Sequence, residues 1–165
     1  MTADSNGYVG FGGFRNAPVA IGGTSYIPPT PLDLNSCWGE LIASCQELED
    51  NPLEQSILLY AEMARNQFFG DGNKRTALLM MNGNLIQNGL CPITITKSCE
   101  VEYRTALIGY YESPEQHRIQ FFDFLKQEQQ TMLKRWGYEI QDVSKSELDK
   151  TIDANPKEGS TKHKL

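Results

Sequence analysis

At 165 residues, with 39% apolar and 22% charged side chains, the chain is long enough for one domain with a sizeable core. A formal net charge of -6 excludes a general nucleic-acid binder, which needs a basic face. No apolar run approaches the roughly 20 residues of a membrane-spanning helix, and the polar opening Met-Thr-Ala-Asp-Ser is unlike a signal peptide.

Residues 1–13, rich in glycine and short polar side chains, are expected to be a flexible N-terminal segment. Val19-Ala20-Ile21 and Thr24-Ser25-Tyr26-Ile27 flank Gly22-Gly23, which predicts a β-hairpin. Pro28, Pro29 and Pro31 stop it, since proline donates no hydrogen bond to a ladder. Helical spacing follows. Trp38, Leu41, Ile42, Cys45 and Leu48 predict a first helix. Asn51-Pro52-Leu53-Glu54 is a helix start, with an N-cap, proline at the first position and glutamate at the third.

That second helix continues through Ile57, Leu58, Ala61, Met63 and Ala64. The third runs from about Asn73 to Gln87 and ends at Asn88-Gly89; apolar on several faces, it is expected to be the central, buried helix of a bundle. Residues 92–96 read as an extended link. Helices over about Ser98–Tyr111 and Ser113–Arg135 complete the domain, with Trp38 and Trp136 expected in the core. Residues 138–165, charged and poor in apolar side chains, are expected to be a disordered tail. The expected fold is mainly α, a helical bundle over 14–137 that opens with a β-hairpin.

The four cysteines form no CxxC pair, and Cys37 and Cys45 lie eight apart on one helix, too far to bridge. A reduced, cytoplasmic chain is the expectation. His117 and His163 are not spaced with any cysteine as a zinc-ligand pair.

The segment Gln67-Phe68-Phe69-Gly70-Asp71-Gly72-Asn73-Lys74-Arg75 carries the chemistry. A glycine turn delivers an acidic residue to the start of an apolar helix whose first turn is basic. Helix N-termini present unpaired N–H groups and partial positive charge, so they suit anions. Gly72 permits close approach, Lys74 supplies a point charge and Arg75 a planar fork for phosphate oxygens. Asp71 is the hard oxygen ligand that a phosphate-bound magnesium takes. The same residues also fit a plain turn capping a structural helix, because short glycine motifs recur by chance.

This loop resembles the active-site motif of the Fic/Doc family, His-Pro-Phe-x-Asp-Gly-Asn-Gly/Lys-Arg. Ile21-Gly22-Gly23 with Pro28-Pro29, then Gly89-Leu-Cys-Pro-Ile-Thr-Ile95 and Tyr103-Arg-Thr-Ala-Leu-Ile108, resemble the family's flap and later helices, so that the similarity spans about residues 8–137. The resemblance implies a Fic-type bundle with a β-hairpin flap, and transfer of AMP from a nucleotide to a hydroxyl of a target protein. It implies Mg2+ on Asp71, ATP or another nucleotide on Gly72, Asn73, Lys74 and Arg75, and a protein target or regulator docked on Val19, Ala20 and Ile21 as an added strand.

Three departures from the pattern matter. Gln67 stands at the place of the family's catalytic histidine, and its amide has no titratable acceptor for a proton. Leu78 replaces a second arginine. Ser98 and Glu102 have the spacing of the family's inhibitory helix, but Tyr103 follows. Phe69 reads as a core anchor, while Phe68, in place of proline, could stack on a base. The preferred expectation is a nucleotide-binding Fic domain with little transfer activity. The alternatives are an active transferase with an atypical site, and an interaction module that uses its flap.

Overall fold

The computed structural model describes residues 13–137; the expectations for 1–12 and 138–165 fall outside them. Among the described residues five α-helices carry the fold: α1 Leu34–Gln46, α2 Pro52–Asn66, α3 Asn73–Gln87, α4 Glu100–Glu112 and α5 Pro114–Arg135, with a 3-10 turn at Lys97–Cys99 before α4. No helix among the described residues is long and apolar enough to cross a membrane.

The helix boundaries follow local chemistry. Asn51 Oδ1 accepts from the Glu54 amide at 3.3 Å, and Pro52 occupies the first position of α2. α3 ends in a Schellman motif: the Leu90 amide donates to the Leu85 carbonyl at 2.8 Å and the Gly89 amide to Ile86 at 3.0 Å. Gly89 supplies the left-handed φ of 71° that this ending needs. Beyond it, Asn82 pairs with both backbone groups of Ile93, at 2.8 and 3.0 Å. That pins the extended link 92–96 to α3.

α2, not α3, is the central helix. Ile57, Leu58, Tyr60, Ala61, Met63 and Ala64 are buried on all its sides, and it packs against α1, α3, α4 and α5. α3 buries Ala77, Met81 and Leu85, a four-residue stripe, and leaves Leu79 72% and Ile86 62% exposed. Trp38 packs at the edge of the core, whereas Trp136 is 53% exposed. One cross-link, Lys126 Nζ to Glu54 Oε1 at 2.5 Å, ties α5 to α2.

The expected β-hairpin is absent: among the described residues there is no strand, and residues 14–30 form an irregular extended segment with a turn at Gly22-Gly23. No backbone hydrogen bond pairs its arms among the described residues; side chains fix it to the bundle and close it on itself. Thr24 Oγ1 donates to Glu112 Oε1 at 2.9 Å, and Tyr26 lies under the Arg65 guanidinium, 4.3 Å from its ring centroid. Arg15, only 5% exposed, closes the segment. Its guanidinium donates to the carbonyls of Ala17 (3.0 Å), Pro29 (2.5 Å), Asn66 (3.5 Å) and Gln67 (2.6 Å). Two of these end α2, where a cation also meets the negative end of the helix dipole. Burial lowers the arginine's pKa from its ordinary value.

Candidate functional site

The motif loop is built on two hydrogen-bonded anchors. Asn73 donates to the Phe69 carbonyl and accepts from the Phe69 amide, both at 2.7 Å. This pair holds residues 69–73 as a closed turn and commits the Asn73 side chain to the loop. Any contact of Asn73 with an anion therefore falls to its backbone N–H. Phe68 is the second anchor. It is fully buried, with ring centroids 5.1 Å from Phe14 and 5.4 Å from Trp38, so it is core and not a stacking platform for a base.

Gln67 ends α2 in the left-handed region, with φ 50° and ψ 58°, the one non-glycine residue of positive φ among those described. Its Nε2 donates to the Ala64 carbonyl at 2.6 Å, satisfying an orphan carbonyl of the last turn. Gly72, at φ 76°, starts α3, and no side chain caps that helix. The first amides of α3 accordingly face the loop without a side-chain acceptor. Asp71 Oδ2 accepts from Arg75 at 3.2 Å in an exposed pair, and Lys74 is exposed beside it.

These residues surround a cleft of about 450 Å³, lined by Gln67, Gly70 to Arg75 and, from the flap segment, Pro18, Val19 and Ala20. Segments some fifty residues apart in the chain thus meet in one cleft. Ile21 is the exception: it faces a second cleft of about 510 Å³ on the other side of Lys74 and Arg75. That cleft is lined by Tyr60, Tyr103 and Tyr111, by Leu107 and Ile108, by Leu78 at the position of the missing arginine, and by Arg104 at its mouth. Arg104 pairs with Glu100 at 3.1 Å. Lys74 and Arg75 are common to both clefts, and the second was not visible in the sequence, where α4 shows only a helical spacing.

His117 is placed away from both clefts. It packs its ring against Gly109, where an added Cβ would come within 2.9 Å of it, and its Nδ1 lies 3.1 Å from the Ser113 carbonyl. Ser98 lies in the 3-10 turn and Glu102 in the first turn of α4. The four cysteines are free thiols, and burial pushes Cys37, Cys45 and Cys91 up from the ordinary thiol range.

A magnesium ion fits the donor set in one respect: Asp71 offers an exposed carboxylate to the polar cleft, and this cation takes one or two carboxylates with phosphate oxygens and water. Among the described residues no group of three acidic, cysteine or histidine side chains stands ready to cage a metal.

The Fic/DOC family model matches residues 2–85, which include the whole motif loop. The protein adenylyltransferase Fic of Aedes aegypti is 26% identical over 141 residues, covering 84% of this chain, and that of Drosophila grimshawi is 28% identical over a similar span. The chain spans about a quarter of the length of these relatives (24% and 25%). A Fic-domain-containing signalling protein from Bacteroides thetaiotaomicron shares the fold, with a TM-score of 0.61 at 19% identity over 79% of this chain and 57% of its own. By sequence and by helical architecture, the chain belongs to the Fic/DOC family.

Proposed function

We propose that this chain binds a magnesium-nucleotide, ATP in the first instance, and transfers AMP poorly if at all. The observation that carries this is the start of α3: an uncapped N-terminus opening on Lys74 and Arg75, shared by a polar and a largely apolar cleft. Phosphates suit the first, where backbone N–H groups, an ammonium and a guanidinium converge. A nucleoside suits the second, whose walls are tyrosine and aliphatic side chains. Magnesium, held by Asp71, would neutralise phosphate charge.

Gln67 limits the chemistry. It lines the polar cleft where a base would stand, yet an amide takes no proton at working pH, and its nitrogen already donates to Ala64. The docking of a protein target on Val19, Ala20 and Ile21 draws on a separate observation. Their backbone N–H groups donate to no backbone carbonyl among the described residues, so that edge is open to an incoming strand.

Calorimetric titration with ATP, with and without magnesium, tests the proposal. Binding that needs magnesium and is lost in Arg75→Ala is the expected result. Absence of binding by ATP and by other nucleoside triphosphates would sink it and leave a scaffold that recognises partners through its flap.

A further inference from the structure

From Thr76 to Thr96 no residue carries a charge, in a chain where 22% do. Part of that stretch is core: Ala77, Met81 and Leu85 are the buried side of α3. The other side faces out. Leu79 is 72%, Ile86 62% and Met80 43% exposed, and Gly83 lies exposed between them. Residues 79, 83 and 86 are one helical turn apart in succession, so they form a single stripe along the outer face of α3, with Met80 and Gln87 beside it.

Nothing among the described residues asks for glycine at the centre of this face. A Cβ added at Gly83 would meet no atom within 4 Å. Glycine inside a helix is unfavourable relative to alanine, because it loses more backbone freedom on folding. What it offers in return is a bare stretch of backbone that another chain can approach closely.

Electrostatics select the occupant. The chain carries a net charge of -6, so two copies repel wherever their charged surfaces meet. A two-fold contact also sets each residue near the axis against its own like, so any charge there meets an equal charge. The outer face of α3 avoids both penalties. Gln87 at its edge is exposed, and its amide both donates and accepts, which lets it pair with its own copy. A different protein partner is steered and selected by complementary charge, and this face offers none.

We propose that two copies of this chain dock face to face through the outer surface of α3, the helices crossing at Gly83 with Leu79, Met80 and Ile86 around the crossing. Three apolar side chains fall short of the about 800 Å² per partner of a standard interface, so the dimer is weak and forms as concentration rises. The contact needs no nucleotide.

Sedimentation velocity on the full chain, from about 1 µM to about 1 mM, tests this. The average mass should rise from one chain toward two. Leu79→Glu places two carboxylates near the axis and should stay monomeric over the whole range while still folding. Gly83→Ala should weaken association about tenfold or more, yet melt higher than the wild type at about 1 µM, where the monomer prevails and alanine favours the helix. Ile119→Glu, at a comparably exposed position on α5 (77%), should associate as the wild type does. A wild type that stays monomeric at the top concentration overturns the proposal. So does an assembly that Leu79→Glu or Gly83→Ala leaves intact, one that Ile119→Glu abolishes, or growth beyond two chains, since a two-fold contact closes at the dimer.

Discussion

Gln67 occupies a backbone conformation that costs an L-residue about 1 kcal/mol, and its side chain offsets part of this by capping the Ala64 carbonyl. Histidine tolerates the left-handed region better than most residues. Gln67→His should therefore keep the fold, with a melting temperature close to the parent. If the cleft is otherwise competent, it should also raise AMP transfer by about 10²- to 10⁴-fold, read as label from ATP appearing on protein. Unchanged transfer in a folded, ATP-binding variant would mean that more than the base is missing. Asn73 answers a different question. Asn73→Ala removes both bonds to Phe69 and should cost about 2–3 kcal/mol in denaturant unfolding; a cost near zero would show that the turn holds without it.

Among the helices, sequence and structure agree best where a residue acts on its immediate neighbours. Asn51-Pro52 and Asn88-Gly89 set boundaries through bonds three to five residues long, so they are legible in one dimension. Gly89→Ala should cost about 1–2 kcal/mol through its backbone alone, since an added Cβ there meets nothing within 4 Å. The flap is the opposite case. Its alternation around Gly22-Gly23 fits a hairpin, but what decides its path is Arg15 reaching across to residues 66 and 67, and Glu112 holding Thr24. Neither contact leaves a local signature. The candidate site divides the same way: the loop and its basic turn were readable, whereas the tyrosine-lined cleft exists only once α4 packs.

For the molecule as a whole, the position of α2 matters most. Apolar content pointed to α3 as the centre, because hydrophobicity marks what could be buried and not what is surrounded. Ala61 distinguishes the two: it is fully buried, and Ala61→Leu should overpack the bundle and cost about 1–3 kcal/mol. Leu79→Ala, on the open side of α3, should stay within about 0.5 kcal/mol. Comparable losses for both in thermal unfolding would contradict the arrangement.

Arg15 has a consequence for how this molecule breathes. One guanidinium holds the carbonyls of residues 17, 29, 66 and 67, while its amide donates to Phe68 at 2.8 Å. The flap segment and the entry to the motif loop therefore cannot open independently; they form one cooperative unit with a single opening energy. In hydrogen exchange, the amides of Arg15 and of Phe69 should become labelled together, and Arg15→Ala should speed both while sparing α5. Two distinct opening energies in the parent protein would show the unit to be divided. If it is whole, a displacement of the backbone at Val19 is felt at Gln67, and the flap segment and the motif loop turn on the same hinge.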